Sequence, residues 1–97
     1  MSGTYQLIPT SNAREQLVAI FQWARLAEKP QEYANALLWI ISELERTPLE
    51  FGEGHYALED SGVELKFRTA FAGRVMVRFA VREATKQVFI SRYRAWF

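Results

Sequence analysis

Cysteine is absent from the 97 residues of this chain, which excludes disulfides, thiolate metal sites and a cysteine nucleophile. A single histidine, His55, rules out a multi-histidine metal centre and leaves only a carboxylate-based one open. Apolar runs are short. The longest, such as Ala36–Ile41, fall far below the roughly 20 residues of a membrane-spanning helix. The N-terminus has no basic stretch leading into an apolar core, so no signal peptide is expected and the expected location is cytoplasmic. No internal repeat, low-complexity tract or long linker interrupts the chain, and its composition marks no disordered segment.

What is present fits one packed domain over residues 1–97, with 49% hydrophobic and 24% charged residues. The net charge of +1 conceals a division. Residues 1–62 carry nine acidic and four basic side chains, whereas residues 63–97 carry two acidic and eight basic ones. The halves are thus −5 and +6. Such asymmetry points to a polyanion-facing surface, unless the halves neutralise each other across the fold.

Periodicity orders the chain. Tyr5–Ile8 alternates and stops at Pro9, as a short strand does. Asn12 with Glu15 three residues later reads as a capping box. Leu17, Ile20, Phe21 and Ala24 follow at helical spacing and predict a helix over 13–28. Pro30 suits the first turn of a second helix, whose stripe is Tyr33, Leu37, Ile40, Ile41 and Leu44 and whose stop is Thr47–Pro48. So short a separation predicts an antiparallel helical hairpin. From Val63 the period becomes two. Val63, Leu65, Phe67 and Phe71 alternate with Glu64, Lys66, Arg68 and Ala70, and Val75, Val77, Phe79 and Val81 alternate with Arg74, Met76, Arg78 and Arg82. The apolar sets are expected against the helices and the charged sets on the outside. Ala72–Gly73 and Glu83–Lys86 mark turns, and Gln87–Tyr93 reads as a last, central strand. The expected fold class is α+β: a two-layer sandwich, β-α-α-β-β-β, with the helical hairpin packed on an antiparallel sheet.

This alternation would gather Lys66, Arg68, Arg74, Arg78 and Arg82 on one face of a hairpin. Like charges side by side on a sheet repel, so such a face needs acidic partners, solvent or an anionic ligand. Phosphate matches the planar fork of arginine. Tyr93, Trp96 and Phe89 interleave with Arg92 and Arg94, and aromatic planes beside guanidinium groups hold single-stranded nucleic acid. The plainer alternative is a ribbon kept soluble by charge, with the C-terminal aromatics finishing the core.

The segment P-L-E-F-G-E-G-H-Y-A-L after the second helix joins V-E-L-K-F-R, G-R-V-M-V-R-F-A-V and Q-V-F-I-S-R-Y-R in the element order above. Together they resemble the RelE/ParE toxin superfamily of bacterial toxin–antitoxin modules over nearly the whole chain. The resemblance implies an antitoxin peptide as partner. It also implies a ribosome-bound mRNA target in the RNA-cutting branch, or DNA gyrase in the other. In the RNA-cutting branch Lys66 and Arg68 would correspond to the basic pair on the second strand. Arg74 would open the third strand, and Arg92 or Arg94 would end the fourth; the aromatic usual before the third-strand arginine is Gly73 here. Arginines there would stabilise charge on the phosphoryl oxygens while a 2′-hydroxyl attacks, without a metal or other cofactor. A lysine crowded by arginines suits a general base, which makes Lys66 the candidate. Arg78, Arg82, Arg94 and Tyr93 complete the expected nucleic-acid surface. A non-catalytic protein-binding module of the same fold is the alternative from a different class.

Other features read as structural or as interfaces. His55 sits in a Gly-rich connector, Phe51–Tyr56, and reads as a loop residue, while Gly52 and Gly54 read as turn formers. Trp39 falls on the polar side of the second helix and suits either an interface anchor, for an antitoxin or for a second copy in a homodimer, or a ring lying flat on a flanking strand or the connector. Trp23 reads as core edge, and Glu43, Glu45, Glu50 and Glu53 as a solvated face.

Overall fold

The computed structural model describes residues 4–96. Its elements are β1 (Gln6–Pro9), α1 (Ser11–Leu26), α2 (Pro30–Arg46), β2 (Glu53–Asp60), β3 (Val63–Ala72), β4 (Val75–Arg82), a 3-10 turn at Glu83–Thr85, and β5 (Gln87–Ala95). The fold class is α+β, two helices on one five-stranded sheet of order β1-β5-β4-β3-β2. Four strands run antiparallel, and β1 joins β5 in parallel, so the sheet is mixed and not wholly antiparallel. A parallel neighbour needs a long crossover, which the helical hairpin begins.

Glu53–Asp60, part of the stretch expected as connector, is a strand. Gly, His and acidic residues disfavour β structure locally, but the segment is paired along β3 from Glu53↔Thr69 to Asp60↔Val63. Tertiary pairing outweighs that weak propensity.

The first helix starts earlier than the Asn12 reading. Thr10 is the N-cap, its Oγ1 accepting from the Ala13 N–H at 3.1 Å, because the strand ends at Pro9 and the chain turns at once. At the other end Glu28 takes φ 58°. The Lys29 N–H donates to the Ala24 carbonyl and the Glu28 N–H to the Arg25 carbonyl, a Schellman stop that ends the helix at Leu26. Helix α2 begins at Pro30 as expected and buries Tyr33, Leu37, Ile40 and Leu44.

One cluster unites the layers: Ala13, Ile20 and Ala24 of α1, the buried stripe of α2, and Ala70, Val75, Val77, Phe79, Val81, Val88, Ile90 and Tyr93 of the sheet. On β4 the expected Val75, Val77, Phe79 and Val81 face the helices, and Met76 and Ala80 are also buried, on the other face. On β3 the expected set is inverted. A two-residue connection, Gly73–Arg74, pairs Ala72 with Val75 and Ala70 with Val77, and Gly73 at φ 57° supplies the positive φ of such a hairpin turn. Since paired residues share a face, Ala70 and Ala72 go under the helices and Phe67 and Phe71 go to the open side. Phe71 is 60% exposed. Under the helices Ala70 is wholly buried in the shared core, and Ala72 packs against it.

Candidate functional site

Register sorts every sheet residue onto one of two faces, because the side chains alternate along each strand and paired residues point the same way. Lys66 opposes wholly buried Val81, and Arg68 opposes buried Phe79. By register both therefore belong to the helix side, the face opposite Arg78, although Arg68 also reaches the wall of a cleft that Arg78 lines. The five-cation face expected from the sequence is thereby divided, for the same reason that Phe71 is outside: the hairpin register reverses β3 relative to its apolar pattern.

Arg68 has a local task. Its Nε donates to the Phe51 carbonyl at 3.1 Å and its Nη2 to the Gly52 carbonyl at 2.9 Å, pinning the loop between α2 and β2 to the sheet. Gly54 leaves room for that guanidinium, since a Cβ there would sit 3.0 Å from Nη1. Gly52 approaches β3 so closely that a Cβ would meet the Thr69 carbonyl at 2.3 Å, and its φ is +74°. Lys66 Nζ pairs with Glu64 3.7 Å away, and the arginine crowding expected around it does not arise. Arg74 lies in the hairpin turn, where its carbonyl accepts from the Trp96 N–H. Lys66, Arg68, Arg74 and Arg92 are not brought together.

The open face is organised in rows across the strands. Its middle row is Glu53, Thr69, Arg78 and Arg92. On one side lie Tyr56, Phe67, Ala80 and Phe89, and on the other Phe71, Met76 and Arg94. Each flanking row holds an aromatic stack. Tyr56 and Phe67 are 4.7 Å apart at 16°, and Phe71 and Trp96 6.0 Å apart at 24°. Arg94 lies 5.8 Å over the Trp96 ring. Neither Arg78 nor Arg92 makes an ion pair among the described residues. Arg82 shares the face farther along β4, and its Nε is buried without a hydrogen-bond partner among the described residues.

A shallow cleft of about 360 Å³ opens here, lined by His55, Tyr56, Phe67, Arg68, Thr69, Arg78, Phe79 and Ser91. His55 enters it through irregularity in the strand. The register of β2 shifts between Gly54 and Tyr56, a bulge that lets His55 Nε2 reach Thr69 Oγ1 at 2.8 Å. A second shift, between Arg78 and Phe79 against β5, leaves Ser91 unpaired with β4, its Oγ donating to the Arg78 carbonyl at 3.2 Å. Two bulges thus border the same cleft. His55, expected as a loop residue, stands instead in strand β2 at the wall of the cleft. Only the G-E-G-H spacing, with glycines beside a strand, could have hinted at a bulge.

Tyr93 is not part of this surface. It is 4% exposed on the helix side, its N–H donates to Gln16 Oε1 of α1 at 2.8 Å, and burial pushes its phenol pKa up. The bulge at Ser91 shifts the alternation by one, which turns Tyr93 inward and Arg92 and Arg94 outward. Trp39 is 53% exposed on α2, and Trp23 is 60% exposed instead of core edge. Among the described residues no group of three or more histidine, aspartate or glutamate side chains could hold a metal, and no helix is long and apolar enough to cross a membrane. No protein-family model matches the chain, and neither a curated protein nor a solved structure matches it.

Proposed function

We propose that this chain is a RelE/ParE-like toxin-type domain that binds RNA through the open face of its sheet. The observation that carries the reading is the Arg78–Arg92 pair, side by side on that face without a carboxylate partner among the described residues and flanked by aromatic rings. Two unneutralised guanidinium groups at neighbouring sheet positions repel, and a phosphate between them relieves that repulsion while filling both forks. The basic half of the sequence supplies the long-range attraction.

The site also favours a cleavage reading, with a different base from Lys66. A phosphate at Arg78 and Arg92 would lie beside the His55–Thr69 pair. An imidazole there can take the proton of a 2′-hydroxyl as that oxygen attacks phosphorus, while the arginines stabilise the charge on the phosphoryl oxygens. The bond to the 5′-oxygen then breaks, and that oxygen takes a proton from solvent.

Titration with RNA at several salt concentrations tests the binding. Affinity falls with salt, and Arg78→Ala or Arg92→Ala lowers the slope of log K against log salt by about 0.7 each, while Lys66→Ala leaves it nearly unchanged. An affinity indifferent to salt would sink the proposal. Induced expression in bacteria tests the toxin reading. Growth arrest with discrete mRNA cuts, lost in His55→Gln and Arg78→Ala, supports it, whereas healthy cells with intact mRNA and normal supercoiling defeat it.

A further inference from the structure

The three rows of the open face define more than a place for phosphate. Phe67, Thr69 and Phe71 are alternate residues of β3, so the two aromatic stacks stand about 13 Å apart, one on each side of the arginine row. The outer members are accessible: Tyr56 is 58%, Phe71 60% and Trp96 42% exposed. Phe71 pairs with Met76 and Phe67 with Ala80, which are 8% and 6% exposed on the same face, so the rings pack over these residues and still present accessible outer surface.

We infer that the open face holds an unpaired nucleic-acid strand, with one base on the Tyr56–Phe67 stack, another on the Phe71–Trp96 stack, and the intervening phosphates at Arg78 and Arg92. This rests on the RNA-binding proposal and adds the class of RNA. A base inside a duplex has both of its faces covered by neighbours, so a duplex cannot stack on either platform. An aromatic-bearing sheet face typically stacks about two or three bases. The arrangement here, ring–cation–ring, sets that number by the width of the arginine row. Arg94 over Trp96 extends the second platform with a further cation. A protein partner is the competing occupant, and it would need carboxylates opposite Arg78 and Arg92 with no demand for planar groups beside them.

The test uses the full chain with Trp23→Phe and Trp39→Phe, which leaves Trp96 as the only tryptophan. Short unstructured oligoribonucleotides should quench its fluorescence on binding. Strands with the same ribose-phosphate backbone but no bases should bind on the order of a hundredfold more weakly, and a hairpin duplex should bind weakly without quenching. Phe71→Leu and Tyr56→Leu, which keep apolar side chains and lose the rings, should each weaken oligonucleotide binding roughly tenfold and leave binding of the abasic strand unchanged. Single-stranded DNA that binds and quenches equally well also supports the stacking. Abasic strands that bind as tightly as base-bearing ones overturn the inference while leaving phosphate binding intact. Failure of every strand, abasic ones included, overturns the RNA proposal itself and this inference with it.

Discussion

The two faces of one sheet hold cations in opposite ways, and Arg68 and Arg78 make the comparison. Arg68, on the helix side, spends its donors on the carbonyls of Phe51 and Gly52. Arg78, on the open side, has no ion-pair partner among the described residues. The sequence offers them as equivalent members of one basic set. The fold assigns the first to holding a loop and leaves the second available for a ligand. What a basic residue does is thus decided by which side of the hairpin register it falls on.

The contrast can be broken at its most crowded point. Gly52→Ala would force a side chain into the Thr69 carbonyl at a left-handed φ, and should cost about 3 kcal/mol, read as a lower urea midpoint. If the midpoint is unchanged, the loop does not rest on β3 as described. A sharper comparison exchanges the arginines one at a time. Arg68→Ala should lose about 2 kcal/mol of stability with little direct effect on RNA affinity. Arg78→Ala should stay within about 0.5 kcal/mol and lose RNA binding. Equal losses of stability would abolish the distinction between the faces.

The smallest effect concerns Tyr93. Its pKa is raised by burial from the ordinary 10.0, so between that value and the higher folded one the folded chain keeps a proton that the unfolded chain releases. Stability from this group is fully present below pH 10 and is lost as pH rises through the folded value. Tyr93→Phe should flatten the alkaline limb of a stability-against-pH curve and leave the neutral region unmoved. An unaltered limb would place Tyr93 outside the core, back on the face where its sequence neighbours Arg92 and Arg94 lie.

Much of this architecture was legible from spacing. Pro30 and the stripe from Tyr33 to Leu44 mark α2, and the valines of β4 mark its buried side, because a core selects apolar side chains at the period of each element. Two features were not legible. Glu53–Asp60 has only Tyr56 to favour a strand among Gly and acidic residues, and its β structure comes from pairing with β3. Alternation on β3 showed that two faces exist without showing which one is inward. The large apolar set looked like the core set, yet Ala70 and Ala72 are the buried residues. Of the candidate site, Arg78, Arg92 and Arg94 were named from sequence and lie on the open face. Lys66 was named and lies elsewhere, while Arg68 was named and lines the cleft with its guanidinium held on the Phe51 and Gly52 carbonyls. His55 was read as a loop residue, because a bulge is a property of two strands and cannot be seen in one.

The sequence by itself determined the class of the fold, the extent of its helices to within a few residues, and the concentration of positive charge in its second half. These depend on local periodicity and composition, which each segment carries alone. Tertiary structure decided which cations stand on the open face, that aromatic rings stand beside them, and that His55 reaches Thr69. Those depend on register, where a shift of one residue moves a side chain to the opposite face of the sheet.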